Sequence, residues 1–109
     1  DHYTGQSFEY RKQWIEQRLS VLAECFAISV HAYAVMSNHL HLVVQLAPEI
    51  AAGWSEGEVA ARWVRLFPPR DDSEVAIKAK RQRLMSDPER LQVIRGRLSD
   101  LSWLMRCLA

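Results

Sequence analysis

At 109 residues, 49% of them hydrophobic, the chain has room for one compact core and too little for two. Fourteen Lys and Arg against thirteen Asp and Glu leave a formal charge of +1, which excludes a protein basic over its whole surface, so any basic site must be local. No apolar run approaches the roughly 20 residues of a membrane span, and the start does not read as a secretory signal, so a cytoplasmic protein with no membrane partner is expected.

The opening DHYTGQ has no periodicity and reads as a loop. From Ser7, an expected N-cap, Trp14, Ile15, Leu19, Leu22 and Phe26 recur at three- and four-residue spacings with charges between them, the pattern of an amphipathic helix. Residues 28–36 and 39–46 alternate and are rich in β-branched and aromatic types on either side of Ser37-Asn38, which predicts a β-hairpin. A loop over APEIAAGW follows, and then Ser55 and Glu58 form a capping box, flanked by Trp54 and Val59, that starts a helix running to Pro68-Pro69. Residues 70–86 permit a helix with a thin apolar face and are expected to be solvated. Asp87-Pro88 opens the last helix, along which Leu91, Ile94, Leu98, Leu101, Met105 and Leu108 recur in a strict 3-4-3-4-3 stripe that suits a core or a homodimer seam. Cys25 and Cys107 lie far apart in apolar helical settings and read as reduced core thiols.

The hairpin carries the chemistry. Successive strand residues point to opposite faces and positions i and i+2 lie about 7 Å apart, so His39 and His41 share a face and suit two ligands of one ion. A two-residue turn at Ser37-Asn38 pairs His41 with Ala34 and His39 with Met36, leaving small residues beside the imidazoles. Leu40, Leu42, Val44, Leu46, Val35 and Tyr33 then fall on the other face, ready to pack under a helix. By the same parity His31 falls away from the pair, while His2 has no assigned place. Two histidines on the wet face of a strand are the plain alternative, because two nitrogens alone do not complete a metal site.

The string AYAVMSNHLHLVV resembles the HUH motif (histidine, hydrophobic residue, histidine) of the single-tyrosine transposases, in particular their REP-associated bacterial branch. His39-Leu40-His41 and the preceding Val35-Met36-Ser37-Asn38 match it residue by residue. RKQWIEQRLSVLAECFAISVHAYAVMSNH resembles the helix and strand that lead into the motif, and LSDLSWLMRCLA the helix that leads toward the tyrosine. The resemblance covers residues 7–46 and 91–109, with 47–86 a variable helical insertion in one domain over 1–109. It implies an α+β ferredoxin-like fold, here incomplete, and a likeness to dimeric proteins of DNA transposition. In that family two histidines, here His39 and His41, hold a divalent cation, magnesium or manganese, against the scissile phosphate of single-stranded or hairpin DNA. A tyrosine attacks and stays joined to the 5′ phosphate. Magnesium prefers oxygen ligands, so such a site needs further donors and the DNA phosphate itself.

The sequence departs from the family pattern in two places. The attacking tyrosine is expected beyond Ala109, since Tyr3, Tyr10 and Tyr33 are not placed as the family requires, and the strand that opens the family fold is not visible. A sheet short of a strand leaves an edge for a partner to cover. Lys78, Lys80, Arg81 and Arg83, with Arg90, Arg95, Arg97 and Arg106 near the last helix, are candidates to track a DNA backbone, or form an ordinary solvated face. Trp54, Trp63 and Trp103 are expected in the core or an interface. The functional readings are therefore a metal-dependent transposase, a truncated or domesticated DNA-binding module without chemistry, and a small interaction protein with incidental histidines.

Overall fold

A computed structural model describes residues 5–108; His2 and Tyr3 lie outside them. The chain runs α1 (Gly5–Cys25), β1 (Ile28–Val35), β2 (Leu40–Leu46), α2 (Pro48–Ala52), α3 (Glu56–Leu66), α4 (Glu74–Met85), α5 (Pro88–Arg97) and α6 (Leu101–Leu108), an α+β arrangement with one two-stranded antiparallel sheet. None of its helices is long and apolar enough to cross a membrane, among the described residues.

The core forms where helical stripes meet. Ile15, Leu19, Leu22 and Cys25 line the buried face of α1 and meet Val59, Ala60, Trp63 and Leu66 of α3, Leu91 and Ile94 of α5, and Leu104, Cys107 and Leu108 of α6. Trp14 sits at the edge of that face and is 47% exposed, while Cys25 and Phe26 at the far end are buried as expected. Helix α1 is already running at Gly5, so Ser7 lies inside it and is not its cap. Ser55 does cap α3, its hydroxyl accepting the Glu58 N–H at 3.1 Å. Arg62 of α3 then donates to the Glu24 and Cys25 carbonyls, which satisfies the end of a helix with no basic residue in its own last turn. It also ion-pairs with Glu58 at 2.7 Å and lies 4.0 Å over the Trp54 ring.

Three segments differ from expectation. Pro48 at the first helical position turns the expected APEIAAGW loop into the short helix α2. Helix α4 is solvated as expected, with no buried residue, but it is docked by Lys80, whose ammonium donates to the Phe67 carbonyl at 2.5 Å. The expected single final helix is two. Leu98 ends α5, its carbonyl accepting the Ala27 N–H at 2.8 Å, and Asp100 restarts the chain by accepting the Trp103 N–H at 3.0 Å. The break changes the phase of the stripe. Leu91, Ile94, Leu98 and Leu108 are buried as the stripe predicts, but Leu101 and Met105 are 47% and 46% exposed, and α6 buries Leu104 and Cys107 in their place.

The hairpin has the expected register at its turn end, with Ala34 opposite His41 and Val35 opposite Leu40. A bulge between Val30 and Ala32 leaves His31 without an opposite residue. Val35, Leu40, Leu42 and Val44 pack against the core from one face, as the alternation predicts. The other face, with Ala32, Ala34, His41, Val43 and Gln45, is exposed.

Candidate functional site

His39 and His41 stand where the strand pattern places them, on the open face at the turn end of β2. Their ring centroids are 4.9 Å apart and the rings meet edge to face at 80°. Both are exposed, so no desolvation opposes a cation between them. The Asn38 side-chain oxygen lies 2.6 Å from His39 Nδ1, a contact that Nδ1–H can donate and that leaves Nε2 on the other side of the ring. The motif asparagine thus orients the His39 ring.

The turn is held from outside the hairpin. Met36 N–H donates to the His39 carbonyl at 2.9 Å, closing the two-residue turn, yet no described residue has positive φ. Such a turn lacks the left-handed residues that match strand twist in the tightest hairpins. Arg11 of α1 compensates by donating one guanidinium nitrogen to both the Met36 and the Ser37 carbonyls. Sequence reasoning did not single out Arg11, and a partner twenty-six positions away leaves no local signal.

His31 is not where parity puts it. The bulge shifts β1 by one residue, so its ring turns to the same face as His41 and Nε2 lies 3.1 Å from Gln45 Oε1. Gln45 is four strand residues beyond His41, about 13 Å along β2, so His31 is on the right face and too far to join the pair. Tyr33 does lie opposite the histidines, its hydroxyl donating to Glu16 of α1 at 2.6 Å, and that bond raises the phenol pKa. Tyr10 is 73% exposed on α1.

Two exposed histidines offer at most two nitrogen ligands to a divalent cation. Among the described residues no group of three His, Cys, Asp or Glu side chains gathers, so water and a ligand oxygen would fill the other positions. On the sheet's covered side, Leu40 helps line an apolar cleft of about 380 Å³ with Arg11, Trp14, Ile15, Met105 and Leu108.

The basic candidates divide. Lys80 is bound to Phe67, and Arg95 donates to the Ala51 and Trp54 carbonyls at 2.6 and 2.5 Å, so both charges serve the fold. Lys78, Arg81 and Arg83 are exposed on α4, as are Arg90 on α5 and Arg106 on α6. Trp103 is partly buried, with Arg97 and Arg106 over its ring. Comparison of the chain with protein-family models, curated proteins and solved structures found no match.

Proposed function

We propose that the protein is a transposase-type DNA-binding domain that holds a phosphate of single-stranded DNA, hairpin DNA included, through a divalent cation at His39 and His41. The observation that carries this reading is the pair of exposed imidazoles, ring centroids 4.9 Å apart and His39 in contact with Asn38, within the stretch that resembles the HUH motif. Magnesium or manganese in that place would supply Lewis-acid neutralisation of the charge that develops on a phosphodiester under attack.

The chain's own residues do the positioning. Asn38 orients His39, the exposed Ala32 and Ala34 leave the space above the rings clear, and Arg11 keeps the turn from splaying. Lys78, Arg81 and Arg83 offer charge to a passing backbone. The second reading, a DNA-binding module without strand transfer, is favoured by Tyr33, whose hydroxyl is committed to Glu16 on the far face of the sheet. Homodimerisation and a cytoplasmic setting belong to the same proposal.

The test is an NMR titration with manganese. Broadening of the His39 and His41 imidazole signals at concentrations that leave His31 sharp supports the paired site. Uniform broadening of all three, or none, overturns it. The variant His39→Ala should abolish the selective effect with little change in stability, because the ring is exposed.

A further inference from the structure

We propose that Arg97, Trp103 and Arg106 form a second seat on the molecule, one that takes the phosphodiester backbone of single-stranded nucleic acid without a metal. The inference rests on the nucleic-acid reading above and deepens it. The Arg97 guanidinium carbon lies 4.4 Å from the Trp103 ring centre and 5.5 Å from that of Trp63; the Arg106 carbon lies 4.6 Å from the same Trp103 ring. In an unbroken helix residues 97 and 103 would stand about 120° apart around the axis and more than a turn and a half along it, and their side chains would not meet. The break at residues 98–100 is what brings them together.

These two arginines differ from most others in the chain. Arg62 and Arg65 make ion pairs, and Arg11, Arg18 and Arg95 donate to carbonyls, so their charges are spent inside the fold. Arg97 and Arg106 have no carboxylate within ion-pair distance among the described residues. A guanidinium laid on an indole keeps its N–H edge free while the stacking fixes its rotamer, so less conformational entropy is lost when an anion binds. Each carbon is within 4.6 Å of one ring centre, which holds them at most about 9 Å apart. That span suits one phosphate or two successive ones, since charges recur about every 3.4 Å along a strand of duplex and further apart in an extended one.

The surroundings fit the assignment. Arg97 and Trp103 line a hollow of about 290 Å³ with Val93, Gly96 and Asp100. The one carboxylate there, Asp100, already accepts the Trp103 N–H at the start of α6. Met105, next to Arg106, lines the apolar cleft together with Leu40, the residue between the two histidines, so α6 links this seat to the back of the motif.

The experiment is a fluorescence titration of the whole chain with an oligo-dT strand in the presence of EDTA, which removes any contribution from a cation at the histidines. Trp103 reports directly: binding should change the emission, and Trp103→Phe should remove most of the change. The double variant Arg97→Gln/Arg106→Gln, confirmed as folded by circular dichroism, should bind at least about ten-fold more weakly. Its log–log salt slope should be shallower by about 1.4, the single-strand value for two lost contacts. If wild type binds the strand and the folded double variant binds equally well, this seat is refuted while the nucleic-acid reading stands. If wild type fails to bind at low salt in EDTA, this seat falls; binding restored by manganese then leaves the histidine reading standing, and no binding with manganese overturns both. Equal displacement by polyglutamate would mark an acidic peptide site and overturn the proposal. Should the Gln variant unfold, Arg106→Lys decides, because it keeps charge but loses stacking: unchanged affinity refutes the seat.

Discussion

The guanidinium of Arg11 binds the Ser37 carbonyl, joining the first helix to the turn that precedes the histidine pair. This contact makes the site a property of the tertiary fold, because nothing within the hairpin supplies the positive φ that would close its turn unaided. Replacing Arg11 by Ala should cost about 1.5 kcal/mol, the lower end for a charged donor at a carbonyl, chosen for its partial exposure. It should also weaken manganese broadening of His39 and His41. Unchanged imidazole spectra in Arg11→Ala would show that the turn holds itself.

The broken final helix predicts opposite outcomes for neighbouring leucines. Leu104 is fully buried, so Leu104→Ala should destabilise by about 2–5 kcal/mol, while Leu101→Ala, at a half-exposed site, should cost less than about 1 kcal/mol. Urea denaturation measures both. A continuous helix with the stripe Leu91 to Leu108 inward would reverse the order.

Lys80 and Arg83, neighbours on α4, should separate in their effects. Lys80→Glu removes the bond to the Phe67 carbonyl and should lower the melting temperature. Arg83→Glu lies on the solvated face and should leave stability alone while weakening oligonucleotide binding for all sequences alike. If both change only stability, or neither changes binding, α4 is an ordinary wet helix.

Burial pushes the Cys25 and Cys107 thiols up from their ordinary values, with nearby arginines pulling the other way. A raised folded pKa means the contribution to stability is whole below the ordinary thiol range near about 8.5 and is lost as pH rises through the folded value. Stability should therefore fall above that range, and Cys25→Ala should flatten the decline. An equal decline in the variant would assign it to other groups. Alkylation of both thiols in the native protein should be slow.

Tyr33 should not become joined to DNA. Its hydroxyl is held by Glu16 on the face away from His39 and His41, where in-line attack on a phosphate at the pair is sterically excluded. Incubating the 109-residue chain with manganese and a labelled hairpin strand should yield no adduct that Tyr33→Phe abolishes. Such an adduct would overturn the strand register at the turn.

The sequence by itself determined those features that depend on neighbours in the chain. The period-2 alternation of 39–46 decided which face of β2 carries the histidines, Ser55 and Asp87 set helix starts through bonds three residues long, and the apolar spacing of α1 chose most of its buried face. Tertiary structure decided the rest. The bulge that turns His31 over follows from how two strands fit together, and the break at Leu98 from a carbonyl that accepts the Ala27 N–H across the molecule. The Arg11 clasp, the use of Lys80 and Arg95 at internal carbonyls, and the Arg97–Trp103 stack join residues whose spacing carries no helical or strand period. Periodicity records which side of an element faces the core, whereas the partner of a long polar side chain is set by what packing brings within its reach.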